Sequence, residues 1–109
     1  MDDYCDPERN TRDVYDIDEI KRRLTPVFQR YGVRRAVLFG SYARGEARPV
    51  SDVDLLVDSG LMGFAFFGFG HDVTRALQKE IDLFDVREVI LNSRIDHEIK
   101  NTGVRIYGS

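Results

Sequence analysis

Cysteine occurs once, as Cys5, so the chain has no internal disulfide framework. Beside only two histidines, that cysteine also leaves no nitrogen–sulfur metal site of the zinc type. Scarce cysteine makes a cytoplasmic setting the expectation. Tryptophan is absent, and three prolines and nine glycines in 109 residues exclude collagen-like and Pro/Gly-rich disordered classes. The longest uncharged run, from Ser59 up to His71, is shorter than the ~20 apolar residues of a membrane-spanning helix. Met1 to Asp6 is acidic rather than basic-then-apolar, so no secretory leader is expected. A basic excess is missing too: 16 Lys and Arg face 19 Asp and Glu, for a net charge of −3. Non-specific duplex binding runs on phosphate neutralisation, so a nucleic-acid module is disfavoured. Any resident metal would have to sit on carboxylates.

What is present is unevenly placed. Residues 1–20 carry eight acids and two bases, whereas residues 21–50 carry eight bases and one acid. That basic stretch suits either an anionic ligand or a solvated helix face such as Lys21, Arg22 and Arg23. Residues 1–14 read as a mobile acidic tail, and residues 15–109 as a single domain. Asp16 or Asp18 can cap a helix whose apolar face is Ile17, Ile20, Leu24, Val27, Phe28 and Tyr31, stopped by Gly32. Pro26 should kink this helix or divide it after Leu24. Arg35 to Phe39 reads as a buried strand. Ser41 to Arg48 reads as a turn with one helical turn, and Val53, Leu55 and Val57 alternate with acids as a second strand. A helix is expected from about Asp72 to Lys79, a strand over 80–86, a helix near 94–101 and an extended end at 104–107. The order implies an α/β (α+β) domain with a small mixed β-sheet flanked by helices.

The chemistry concentrates in Phe39-Gly40-Ser41 and Asp52-Val53-Asp54. Gly40 ends a strand and lets backbone approach a ligand, and Ser41 adds a hydroxyl donor for a phosphate oxygen. Asp52 and Asp54, at i and i+2, point to one side of their strand. Carboxylates there work against strand propensity. Such a pair suits Mg²⁺, which takes oxygen ligands and shares its shell with substrate phosphates. Asp82, on the next strand, is the natural third member; Asp85, at i+3 from it, falls on the opposite side and ranks below. Three carboxylates and a Gly-Ser cradle could hold two ions and a triphosphate, with one carboxylate accepting the proton of an entering hydroxyl.

Gly40-Ser41, a gap of ten residues and then Asp52-x-Asp54 resembles the signature of the polymerase-beta-like nucleotidyltransferase superfamily. The likeness is greatest to its small MNT-type (minimal nucleotidyltransferase) members, which are paired as antitoxins with HEPN ribonuclease toxins. It extends through Leu38, the Ala43-Arg44-Gly45-Glu46 segment and Ser51, and spans about Ile17 to Tyr107. The resemblance implies the minimal nucleotidyltransferase fold, with Asp52, Asp54 and Asp82 as catalytic metal ligands and Asp82 as the base. It makes Gly40 and Ser41 the nucleotide-phosphate loop, and gives Arg44 a contact to phosphate or partner. It further implies ATP as substrate, two-ion Mg²⁺ chemistry in the family's manner, and transfer of AMP to a tyrosine of the HEPN toxin. Two other readings stand beside it: a non-catalytic antitoxin that neutralises by binding, and a subunit that modifies a small molecule. Leu61 to Gly70, with four Phe among four Gly over residues 59–70, departs from the family's pattern. It reads either as core or as a loop with exposed aromatics that grips the partner or lips the adenine pocket. His71 beside it reads as structural.

Overall fold

The computed structural model describes residues 14–108. Of the expected acidic tail, residues 1–14, all but Val14 lies outside them.

Helix α1 runs Ile17–Tyr31 and is capped at both ends by the residues its sequence offers. Asp16 accepts a 2.8 Å hydrogen bond from the Glu19 N–H, which satisfies one of the orphan donors of the first turn. Gly32 closes the helix in the left-handed region at φ 69°. Of the two outcomes expected of Pro26, a kink or a division, the second does not occur: the helix runs on through it. Arg22 and Pro26 are both exposed, so the carbonyl that loses its donor lies on the hydrated side. Ile20, Leu24, Val27 and Phe28 are buried on the other side and hold the helix in place.

Strand β1 (Arg35–Phe39) leads directly into the single-turn helix α2 (Gly40–Arg44). Strand β2 (Val53–Asp58) follows, then helix α3 (Gly63–Leu77) and strand β3 (Ile81–Asp85). A 3-10 turn over Val86–Glu88, helix α4 (Arg94–Thr102) and strand β4 (Val104–Tyr107) complete the chain. The strands form one sheet in the order β3-β2-β1-β4. β1 is antiparallel to both β2 and β4, while β2 and β3 are parallel and joined through α3. This is the small mixed sheet with flanking helices that the element order implied. Among the described residues no helix is long and apolar enough to cross a membrane.

One face of the sheet is the core. Ala36, Leu38, Val53, Leu55, Val57 and Ile106 are buried there against α1 and against Phe69, Val73 and Leu77 of α3. Alternation along β2 sends its acids to the other face, where α4 covers part of the sheet. Contact there is close, since a Cβ on Gly103 would stand 2.9 Å from the Val37 side chain.

The Phe/Gly-rich segment is helix, beginning nine residues before the expected start at Asp72. Phe69 is fully buried, with its ring 5.3 Å from Tyr31 and 6.1 Å from Phe28. Phe64 and Phe67, by contrast, are 93% and 76% exposed. Glycine disfavours a helix locally, but the burial of Phe69, Val73 and Leu77 overrides that preference. At Gly68 an added Cβ would meet only the Tyr31 hydroxyl, at an ordinary 3.7 Å. Gly68→Ala should therefore stabilise the fold by about 0.5–1 kcal/mol, because alanine loses less backbone entropy in a helix. The expected result is a higher urea midpoint at unchanged m-value.

Candidate active site

Strand register builds the site. Phe39 at the end of β1 pairs with Asp54 on β2, and Asp54 pairs with Asp82 on β3. Directly paired residues project from the same side of a sheet, so these three form a row on the face away from the core. Asp52, two residues before Asp54, has the same parity and stands just outside β2. Phe84, two residues after Asp82, continues the row on β3, its ring 5.9 Å from that of Phe39.

Gly40 brings the turn onto this row. Its φ is +74°, and a Cβ there would lie 2.0 Å from an Asp54 carboxylate oxygen. Only glycine lets the backbone take the turn and pass so close to that carboxylate. Gly40, Ser41, Arg44, Asp52, Asp54 and Asp82 all line one open cleft of about 530 Å³. The structure thus brings together all six residues singled out in the sequence.

Electrostatics mark Asp54 within the cleft. Burial, followed by the carboxylate of Asp82 and then those of Asp52 and Glu98, pushes its carboxyl up to about 6. Like charges gathered in a partly dry site disfavour ionisation, and a bound cation would relieve that repulsion. As placed, the described residues contain no ready-made cage of three or more metal-binding side chains. The donor set nevertheless fits a hard cation, being oxygen only and short of compensating positive charge. Arg44 is the near cation, but two carboxylates already hold it: Glu46, at 2.9 Å from Nε, and Glu98 on α4. The Glu46 bond and then the Glu98 charge keep its guanidinium above its ordinary value.

Four cleft residues, Phe84, Arg94, Ile95 and Glu98, were not evident in the sequence. Spacing places Arg94 and Glu98 on one face of a helix, but nothing in the chain indicates which face of the sheet that helix covers. Asp85 sits away from the cleft, as its i+3 position implied. It is buried, accepts a 2.7 Å bond from the Ser59 hydroxyl and caps the 3-10 turn through the Arg87 N–H at 3.1 Å. Burial alone would raise its carboxyl, but the Ser59 and Arg87 bonds outweigh it and hold the group below the usual carboxylate range. Asp58 is likewise structural, paired with Arg34 at 3.1 Å and Arg35 at 3.4 Å. No residue of the Phe/Gly segment lines the cleft. α3 packs on the core face, so the core reading of this segment holds for Phe69, while Phe64 and Phe67 are exposed.

A Gly-Ser turn set over a row of carboxylates at the end of a small mixed sheet defines a nucleotidyltransferase. The chain belongs to the "Polymerase beta, Nucleotidyltransferase" family, whose model matches residues 22–109. It is 36% identical over 90 residues to the protein adenylyltransferase MntA of Thermococcus cleftensis, covering 79% of each chain. Its fold is similar to that in a toxin–antitoxin crystal structure with AMP-PNP (TM-score 0.69, 22% identity, 82% of this chain and 73% of that one). It is also similar to a structure of the tri-AMPylated HEPN toxin of Shewanella oneidensis in complex with its MNT antitoxin (TM-score 0.64, 18% identity, 85% and 73%).

Proposed function

We propose that this chain transfers AMP from ATP to a tyrosine hydroxyl of a HEPN-type toxin and so silences it. The observation that carries this reading is the cross-strand pairing of Asp54 with Asp82, beside Asp52 and beneath the Gly40-Ser41 turn. The adenylyltransferase relative and the AMPylated toxin in a similarly folded complex support protein as the acceptor.

In this reading Ser41 and the Gly40 turn bind the triphosphate. Asp52, Asp54 and Asp82 hold Mg²⁺, which when bound offsets the charge of the phosphates and of the departing pyrophosphate. Asp82, the more exposed end of the row, accepts the proton of the entering tyrosine hydroxyl. The tyrosine oxygen forms a bond to the α-phosphorus as the bond to the bridging pyrophosphate oxygen breaks, so the products are tyrosyl-AMP and pyrophosphate. Arg44, already shared between Glu46 and Glu98, orients the cleft wall and reaches the phosphates.

Intact-mass spectrometry of the HEPN-type partner, incubated with this chain, ATP and Mg²⁺, tests the reading. The expected result is a gain of one or more AMP units, abolished by EDTA. Asp52→Ala should slow the gain by roughly 10²–10³-fold, the usual effect of removing one electrostatic contributor. A toxin silenced without any change in mass, by wild type and Asp52→Ala alike, would instead establish a stoichiometric binder.

A further inference from the structure

We infer that an apolar groove over the start of α4 is the docking site for the polypeptide segment flanking the acceptor hydroxyl; this rests on the proposed transfer to protein. The groove, about 330 Å³, is lined by Phe84, Val89, Ile90, Ser93, Arg94 and Ile95. Phe84, Arg94 and Ile95 also line the carboxylate cleft, so the two form one continuous depression. Phe84 of β3, common to both, stands two residues after Asp82.

The chemistry of its walls selects the occupant. Its volume is at the small end of ligand pockets, suited to one or two side chains rather than a nucleotide. Aliphatic and aromatic groups make the floor, while Ser93 and Arg94 supply donors for main-chain carbonyls or an acidic side chain. A nucleic acid would need several cations here, but Glu88 lines the groove and Asp82 and Glu98 lie in the adjoining cleft. An apolar polypeptide segment fits both the shape and the charge.

Rigidity supports the same assignment. Ile90 and Leu91 are 74% and 72% exposed, yet the loop that carries them is tied at both ends. Asp85 caps the turn before it, and the Arg87 guanidinium bonds the Leu61 carbonyl at 2.5 Å. On the far side, the Asp96 carboxylate accepts from the Asn92 N–H at 2.9 Å, and Ser93 caps α4. Exposed apolar residues on a preorganised loop bind without the cost of ordering it. Another set of exposed apolar residues, Met62 before α3 and Phe64 and Phe67 on it, contributes nothing to the lining of the cleft.

Steady-state AMP transfer to the intact HEPN-type toxin separates the possibilities, with full-length wild type, Ile90→Asp, Ile90→Val and Phe64→Asp compared. Ile90→Asp should raise KM for the toxin at least about tenfold, the effect of losing an interface anchor, with the Kd for Mg²⁺-ATP unchanged. Ile90→Val and Phe64→Asp should remain near wild type. No transfer by wild type would overturn the functional reading, and the groove assignment with it. Transfer by wild type with a normal toxin KM in Ile90→Asp would overturn the groove alone. So would an increase confined to Phe64→Asp, which would place docking on α3, or a weakened Mg²⁺-ATP Kd in Ile90→Asp, which would assign the groove to the nucleotide.

Discussion

Replacing Gly40 with alanine is expected to reduce AMP transfer by at least about 100-fold, because the new methyl group would collide with Asp54. The added Cβ would stand 2.0 Å from the Asp54 carboxylate oxygen and 2.9 Å from its carboxyl carbon. No heavy atoms tolerate that approach, so either Asp54 leaves the row or β1 shifts away from β2. Alanine also resists φ +74°, and the combined strain should cost about 1–3 kcal/mol of stability. A urea titration beside the transfer assay separates the two effects. If some of the fold is lost, the folded fraction at low temperature should still be inactive, because the obstruction lies in the site itself. Normal kcat in a folded Gly40→Ala protein would show that Asp54 need not hold its observed position.

Asp54→Asn should produce effects of opposite sign on activity and stability. Transfer should fall by roughly 10²–10³-fold or more, since one of the three carboxylates proposed to hold Mg²⁺ is lost. The ligand-free protein, however, should become more stable. Burial and the neighbouring carboxylates of Asp82 and Asp52 push the Asp54 carboxyl from 3.8 to about 6. The folded state therefore binds more protons than the unfolded state between those values, and stability falls as pH rises through about 6. Above that range the wild type carries the full repulsion, which asparagine removes. After discounting for the half-exposed position, the gain is about 1 kcal/mol, or roughly 4–8 °C in Tm for a domain of this size. Thermal unfolding at pH 5 and pH 8 checks the sign, because the variant's advantage should shrink at the lower pH. Mg²⁺ should raise the Tm of wild type more than that of Asp54→Asn.

Such opposition between stability and chemistry explains why the site was legible in the chain. Carboxylates on alternate positions of a strand contradict strand propensity, and Asp52 and Asp54 therefore stand out against Val53, Leu55 and Val57. Gly40 marked a turn for the same reason, as a residue placed where a side chain would be cheaper in entropy but impossible in space. The third carboxylate, Asp82, was legible only in parity. Its placement beside Asp54 depended on β3 joining β2 in parallel, a pairing between residues 28 apart whose energy lies in the sheet and in the α3 crossover.

Elsewhere local signals were misleading. Pro26 announced a kink or a break in α1, and the break does not occur because four buried side chains on the opposite face hold the helix through it. Glycines at 63, 68 and 70 suggested a loop, yet burial of Phe69 against Phe28 and Tyr31 secures α3 from Gly63 onward. In both cases the deciding contacts come from residues distant in the chain: local costs of about 1 kcal/mol per glycine and about 3 kcal/mol for a proline are outweighed by several buried apolar side chains at about 1.5–3 kcal/mol each.

By itself the sequence determined the α/β order, the core face of β2, the caps of α1 and the choice of the Gly-Ser and Asp-x-Asp segments as the candidate site. All of these follow from interactions within a few residues, where periodicity and backbone preference act directly. Tertiary structure alone decided that Asp82 would complete the row, that Glu98 would share Arg44, and that the start of α4 would extend the cleft into an apolar groove. Those outcomes depend on strand order and on which sheet face a helix covers, and both are set by burial summed over the whole domain rather than by any local pattern.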